Sequence, residues 1–546
     1  MTKFGCALEH SLAQSSVLIT SGTYVSAEIA AEFGRIPPAF LPIGNRRLYA
    51  WQIEEIRARL PDARVVMSLP DDFEMDSADA AALQSFSIEV TRAPADLSLG
   101  QSLTYVILAA NLVRDSLCML HGDTLLFDFP LDRIDTVSVG VTQAYYPWAD
   151  YEVRDGGGLV LSNSDDKNTD RHVLTGAFHL SDVPLFLRGL AQSDNGFLRA
   201  LEFYSARRGL APVSSGKWFD FGHLHTYFQS RRAVTTARHF NRLETEDHFF
   251  VKSSSNRAKI EAEREWFCKL PAELRIYTPG VLPAADVEGG AAYRIEYCYL
   301  TTLNDIFVFG RLPPSVWRRI FDACSQFLDL ARRHRPDTAP TADGLDLYLD
   351  KTLTRLRQFA EEKGLDLDTP WSINGAPTPS LRQITERLAA KIGAADDQNI
   401  ATIHGDFCFS NILFDFRTQR IKVIDPRGLD NNGHKTPYGD VRYETAKLHH
   451  SVIGLYDHII AGRFQVASQA PYDLTLTLPS EPGLLAVQQL FMDASFGGRT
   501  LEYLKAHEIS ILLFLSMLPL HADNPTRQWA LLANALRLYR LMDTPA

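Results

Sequence analysis

Between two short apolar runs the chain sets four polar residues whose order dictates how the backbone must double back. The segment is Ile403-His404-Gly405-Asp406-Phe407-Cys408-Phe409-Ser410-Asn411-Ile412-Leu413-Phe414, followed by Ile421-Lys422-Val423-Ile424-Asp425-Pro426-Arg427. The apolar flanks predict short strands presenting a loop between them. Asp406 can accept the proton of an attacking hydroxyl. Asn411, five residues on, can return to the same site as a metal ligand, and Asp425 closes the next strand with a carboxylate for Mg2+ between ATP phosphates. A bare His-Gly-Asp would suit a loop with a satisfied histidine and an Asx turn. The asparagine and the strand-terminal aspartate point instead to phosphoryl transfer.

At roughly 100–200 residues per domain, 546 residues predict two to four domains. A composition 45% hydrophobic and 22% charged excludes a disordered or fibrous chain. Lys plus Arg number 55 against 66 Asp plus Glu, a net charge of −11, which excludes holding a nucleic-acid backbone by bulk electrostatics. Small anionic substrates remain open where a metal and local cations offset that background. The six cysteines (Cys6, Cys118, Cys268, Cys298, Cys324, Cys408) form no C-x-x-C pair, so neither a zinc site nor a disulfide framework is expected, and a reducing compartment fits best. The first thirty residues give no clean secretory apolar core. The longest apolar run, Ile509 to Leu520, is short of a ~20-residue membrane span and reads as a buried helix. A cytoplasmic protein without a membrane or nucleic-acid partner is expected.

The first half alternates strand and helix patterns. Ser16 to Gly22 reads as a buried strand entering a turn, Leu48 to Leu60 as a helix, Val65 to Leu69 as a strand, Leu103 to Val113 as a helix and Leu117 to Leu120 as a third strand. Such repetition predicts an open, mostly parallel α/β sheet covered by helices on both faces, with its ligand site at the carboxyl ends of the strands. Asp155 to Gly158 reads as a turn and Asn163 to Arg171 as a polar loop. The short polar stretch Gln229 to Arg238 marks a boundary between domains 1–230 and 235–546. Beyond it, His239 to Lys252 suits a β-hairpin, Arg257 to Leu270 a helix and Ala292 to Leu300 a strand. From Pro314 helical periodicity dominates, broken at 401–428. A small β-rich lobe of about 235–310 and a helical lobe of about 311–546 are predicted.

On these residues the C-terminal half resembles the aminoglycoside phosphotransferase and choline kinase superfamily, which implies a two-lobed, protein-kinase-like α+β fold. The resemblance implies Asp406 and His404 as catalytic residues and Asn411 and Asp425 as Mg2+ ligands. Phe249-Phe250-Val251-Lys252 resembles the strand whose lysine holds the ATP phosphates. Glu263 resembles its ion-pair partner, with Glu261 on the same helix a rival that spacing does not exclude. Arg294-Ile295-Glu296-Tyr297-Cys298 resembles the hinge that meets adenine. Gly439-Asp440 through Glu444 to Lys447 resembles the start of the helix after the catalytic segment, with Asp440 structural. Phe240 to Leu243 stands where a glycine-rich loop would lie and has no glycine.

The first 230 residues resemble the sugar-phosphate nucleotidyltransferases, which implies a Rossmann-like sheet. His121-Gly122-Asp123 and Trp218-Phe219-Asp220-Phe221-Gly222 resemble the two segments that bring metal-binding aspartates, here Asp123 and Asp220, to one Mg2+. Leu174-Thr175-Gly176 resembles the substrate-side glycine turn, and Gln101 in Gly100-Gln101-Ser102 sits where the family contacts the base. Two departures stand out. The first loop, Ser21-Gly22-Thr23-Tyr24, keeps Gly22 alone, and Pro38 replaces the lysine of the family's P-K segment. Arg46 or Arg47 is available as a substitute cation.

The two resemblances together imply a bifunctional enzyme. It would phosphorylate a sugar or amino alcohol with ATP and couple that phosphate to a second NTP, giving an activated precursor for cell-surface polysaccharide. Tyr293, Tyr297, Tyr299 and Trp317 are candidates for the wall of a cationic head group, or for core. The alternative is a small-molecule kinase whose N-terminal domain only binds a nucleotide or nucleotide-sugar. A scaffold with two retired sites is the non-enzymatic reading, and the intact Asp406, Asn411 and Asp425 set argues against it.

Overall fold

The computed structural model describes residues 15–144, 146–153, 159–162, 170–238, 244–246, 249–283, 290–337 and 346–543. Cys6, the turn at 155–158, the loop from Asn163 and the glycine-free stretch 240–243 lie outside the described residues. The chain divides into two compact units, Met1–Thr235 and Thr236–Ala546.

In the first unit, β1 (Ser15–Thr20), β2 (Arg64–Pro70), β3 (Ile88–Ala93) and β4 (Ser116–His121) run parallel in the order β3-β2-β1-β4. Val17, Leu18 and Ile19 are fully buried, as a strand enclosed on both faces requires. The order reverses between β1 and β4, and their carboxyl ends lie side by side with Thr20 opposite His121. That is where a doubly wound sheet receives its ligand. Beyond β4 come β5 (Thr124–Phe127), β6 (Thr136–Thr142), β7 (Asp150–Val153), β8 (Leu159–Ser162), β9 (Arg171–Leu180), β10 (Ala211–Val213) and β11 (Lys217–Asp220). The sheet continues as β4-β9-β6-β10, with β9 antiparallel to both neighbours. The helix expected at Leu103–Val113 spans Leu99–Ala109, because Ser98 and Gln101 form a capping box that starts it earlier. Strand β3 carried no sequence expectation, since its alternation Ile88-Glu89-Val90-Thr91 is that of an edge strand with little buried surface.

The polar stretch Gln229–Arg238 holds the division between the two units, after Thr235, and is helical. It is the second part of a helix, Leu224–Arg238, whose earlier turns bury Tyr227 and Phe228 in the first unit.

The second unit opens with β12 (Glu244–Glu246), β13 (Phe249–Ser254), β14 (Val281–Pro283) and β15 (Ala291–Glu296), an antiparallel sheet in the order β12-β13-β15-β14. The strand expected to reach Leu300 ends at Glu296. Against it packs the helix Arg257–Lys269, whose buried face carries Ile260, Glu263, Trp266 and Phe267. The rest is largely helical, with the hairpin Ile412–Asp415 and Arg420–Val423 set into it. Helix dominates from Pro314 as expected, but a four-stranded sheet of Ala376–Ser380, Pro370–Ile373, Asp473–Thr477 and Gln465–Ala470, outside the break expected at 401–428, adds to it. Its central pairing, Ser372 with Asp473, joins segments too distant for local periodicity to reveal. The apolar run near the C-terminus is a helix, Ala506–Met517, buried on all sides. No helix among the described residues is long and apolar enough to cross a membrane.

Candidate active site

The second unit brings Lys252, Glu263, Asp406, Asn411 and Asp425 onto one cavity of about 460 Å³. Lys252 leaves β13 opposite Tyr293 of β15. Its Nζ donates to Glu263 Oε2 at 2.6 Å and to Asp425 Oδ1 at 2.8 Å. Burial alone would depress this ammonium, but the Asp425 and Glu263 carboxylates outweigh it and raise its pKa. Glu263 is buried and also accepts from the Tyr293 hydroxyl at 3.0 Å. Its rival Glu261 turns to Lys435 (2.8 Å) and Arg257 (3.3 Å).

The loop after Ile403 is held by its own polar groups. His404 is fully buried; its Nε2 donates to the Ile424 carbonyl at 2.8 Å, so Nδ1 is left to accept the Asp406 N–H at 3.3 Å. Burial pushes the imidazole down to about 4, which keeps it neutral. His404 therefore fixes the loop to the neighbouring strand and has no face toward the cavity, which corrects its expected catalytic role. Glu444 accepts the N–H groups of His404 and Gly405 at 2.7 and 2.9 Å. Gly405 has φ +80°, and a Cβ there would stand 2.7 Å from that of Arg427. Only glycine accommodates both the conformation and the approach.

Asp406 faces the cavity. Burial favours its neutral form, but the Lys447 ammonium at 2.8 Å, His404 and the Asn411 amide hold its carboxyl below the usual range. Asn411 Nδ2 reaches back to Asp406 O and Oδ2, both at 3.0 Å, which closes the loop. Asp425 has φ +58°, an uncommon conformation for a non-glycine residue and one concentrated at functional sites. Asp440 caps the helix Val441–Val452 and pairs with buried Arg442 at 2.7 Å. Glu296 accepts from the Gly280 N–H at 2.8 Å, and Tyr297 packs on Phe250 and Tyr299; neither lines the cavity. Tyr293 and Trp317 are core. Sequence reasoning singled out neither Lys351 nor Arg355, which also line the cavity. Their spacing of four on one helix was the available signal.

In the first unit β11 runs antiparallel to β5 with Asp220 opposite Thr124, so Asp220 comes to rest beside Asp123. The Phe221 N–H donates to Asp123 O at 2.8 Å. A Cβ on Gly222 would meet Asp123 Oδ2 at 2.6 Å and Asp220 Oδ1 at 3.5 Å. Burial, and then the charge of Asp220, push the Asp123 carboxyl up to about 6. Asp220 is further held by the Thr226 hydroxyl and by His223 Nδ1 at 3.2 Å, and the His223 ring stacks on Tyr146. Gly22 follows β1, where a Cβ would meet Ser102 Oγ at 3.1 Å. Gly176 lies in β9 with φ +98°, against Thr124 and His121. The Gln101 carboxamide accepts from the Ser98 N–H at 2.9 Å, so it serves the helix start. Arg47 is buried in a fork with Asp79 (2.6 Å) and reaches the Phe40 carbonyl, while Arg46 pairs with Glu54 (2.5 Å). Arg47 is thereby committed to the fold, while Arg46 sits in a partly exposed pair.

A comparison with curated proteins finds no match. Among solved structures, the N-terminal region is similar to a UDP-glucose pyrophosphorylase from Acinetobacter baumannii (12% identity, 42% of this chain, 95% of that one, TM-score 0.32). It is also similar to HddC from Yersinia pseudotuberculosis (12%, 41% and 99%, 0.31) and a nucleoside-diphosphate-sugar pyrophosphorylase from Vibrio cholerae (13%, 40% and 99%, 0.31). Residues 233–431 match the family model described as the phosphotransferase enzyme family, and that matched stretch carries Lys252, Glu263, Asp406, Asn411 and Asp425.

Proposed function

We propose that the C-terminal unit transfers the γ-phosphoryl group of ATP to a hydroxyl of a small molecule, and that the N-terminal unit couples the new phosphate to a second nucleotide. The bridging of Lys252 between Glu263 and Asp425, on the cavity that also holds Asp406 and Asn411, carries the first half. Lys252 draws the ATP phosphates to that cavity, with Glu296 and Tyr297 at the adenine end. Asp406, kept ionised by Lys447, accepts the proton as the acceptor oxygen bonds to the γ-phosphorus and ADP leaves. The Asp425 carboxylate and the Asn411 carboxamide are hard oxygen donors of the kind Mg2+ takes alongside phosphates, and these two residues would hold it. Bound there it would neutralise phosphate charge.

For the N-terminal unit, the specific observation is that Asp123 and Asp220 stand together with no lysine or arginine ion pair among the described residues. Two such carboxylates suit a divalent cation bound with a nucleotide. Gly22 and Gly176 would leave room for the substrate. The product would be a nucleotide-activated precursor for surface polysaccharide, made in the cytoplasm. A unit that binds nucleotide without turnover is the second reading, favoured by Pro38 where the resemblance expects a lysine.

The experiment incubates the full chain with Mg-ATP, the four NTPs and a pool of hydroxyl compounds, and follows products by phosphorus NMR. A diphosphate-linked product that Asp123→Ala abolishes, with the monophosphate retained, supports both steps. A monophosphate alone leaves a kinase with a binding unit. Nucleotide coupling by Asp123→Ala at the normal rate overturns the assignment of that site.

A further inference from the structure

We infer that the acceptor is itself an anion, whose carboxylate or phosphate seats against Lys351, Arg355 and Arg427. This rests on reading the C-terminal unit as a phosphotransferase. Most charges on the cavity are matched: Lys252 by Glu263 and Asp425, Lys447 by Asp406, and Lys259 lies 3.9 Å from Glu263. Three cations lining the same cavity have no carboxylate partner among the described residues. Arg355 Nη1 donates to the Ser516 carbonyl at 3.0 Å, and Arg427 Nη2 to Asn431 Oδ1 at 2.9 Å. Lys351 makes no hydrogen bond or ion pair among the described residues.

Lys351 and Arg355 are one turn apart on the helix Lys351–Lys363, and Arg427 follows Asp425 by two residues. All three line the one cavity, and burial, then the charges of Arg427, Arg355 and Lys447, push the Lys351 ammonium down to about 7. In a chain of net charge −11, three half-buried like charges left without an acid are costly unless an anion joins them. With the ATP phosphates assigned to Lys252, which shares the cavity, the anion that these three further cations await is placed on the acceptor. The wall beside them is apolar, made by Leu512, Leu513, Met517 and Leu520. The acceptor therefore combines a hydroxyl, presented to Asp406, with an anionic group a few bonds away. A cationic amino alcohol is disfavoured, since it would add positive charge where three cations already repel one another.

The test is calorimetry on the full chain with Mg2+ and a non-hydrolysable ATP analogue, using glycerate, glycerol 3-phosphate, glycerol and choline as probes. The expected result is that at least one anion binds tenfold or more tighter than glycerol and choline. Glycerate leading marks a carboxylate acceptor, and glycerol 3-phosphate leading a phosphorylated one. Lys351→Met and the double variant Lys351→Met/Arg355→Met should lose that tenfold preference while binding the ATP analogue within twofold of normal. The single variant removes no hydrogen bond, so it also controls for misfolding. Equal binding of all four probes, no anion binding, or a preference undiminished in both variants overturns the inference. Failure of the unaltered protein to bind the ATP analogue would instead remove the phosphotransfer reading beneath it.

Discussion

Glu261 and Glu263 are two residues apart on one helix, and their fates differ because a helix turns 100° per residue. Glu263 falls in phase with Ile260 and Phe267, three before and four after, and is carried to the buried face; Glu261 is carried to Lys435. That phase was legible in the sequence, although spacing from Lys252 was not enough to choose. Glu263→Gln should lower kcat/KM for ATP by about 30-fold or more, the size of a lost charge-assisted contact of ~2 kcal/mol. Glu261→Gln, on an exposed pair, should change it less than about threefold. Steady-state kinetics on the two variants separates them. Gly405→Ala forces a side chain into a left-handed conformation and against Arg427, so it should cost about 1–3 kcal/mol in urea unfolding. It should also lower kcat, because it displaces the Asp406 backbone.

The helix Val441–Val452 buries Glu444, His449 and His450 besides the paired Arg442. The nitrogens of both histidines have no partner among the described residues, and burial drives each pKa well below its ordinary value. Well above pH 6.5 these rings are neutral folded or unfolded and contribute nothing to pH dependence. As pH falls below about 6.5 the unfolded chain takes up protons that the folded one refuses, so stability drops. Glu444 and Asp457, pushed up to about 7 by burial, act oppositely: folded, they hold protons below pH 7 that the unfolded chain releases above its own carboxyl pKa. They oppose the histidines over pH 4.5–6.5. Replacing both histidines by Phe, with His450 already against Phe514 and Tyr456, removes two protons of uptake. The variant's stability should lose about 2.7 kcal/mol less per pH unit below pH 5.5, measured by urea unfolding from pH 6.5 to 4.5. Elements whose identity came from neighbours in the chain were legible, as with the strand at Ser16 and the helix at Leu48. Those set by a distant partner were not, and the strand pair at Ser372 and Asp473 is the plain case. The stretch Gln229–Arg238 was read as a boundary, and the division into units falls inside it after Thr235; that it is helical was not legible, because its polarity is that of a helix face.

At the scale of the whole molecule, each unit carries a pair of facing charges of its own. In the second unit the charges are opposite and hold the site together. In the first, Asp123 and Asp220 are alike, so the fold bears a local cost that a bound cation would relieve. Asp123→Asn should therefore stabilise the metal-free protein by about 1–2 kcal/mol, or ~3–6 °C in melting temperature, and abolish the further rise that Mg2+ with an NTP produces. Calorimetric melts with EDTA and with Mg-NTP read both effects. The aspartates themselves were legible as motif residues. The lack of a lysine or arginine partner for either among the described residues was not, because it depends on which side chains the tertiary fold brings beside them.

The helix Leu224–Arg238 bears on how the gene can be cut. Val234 is buried, and Gly44 stands against Thr235, so the first unit owns this helix beyond residue 230. A fragment ended at 230 would forfeit those last anchored turns and fray; one ended at 238 would keep them. The same continuity governs digestion, since a protease engages its target as an extended strand and a hydrogen-bonded helix does not offer one. Trypsin would find Arg231 and Arg232 in the sequence long before it found them in the folded chain.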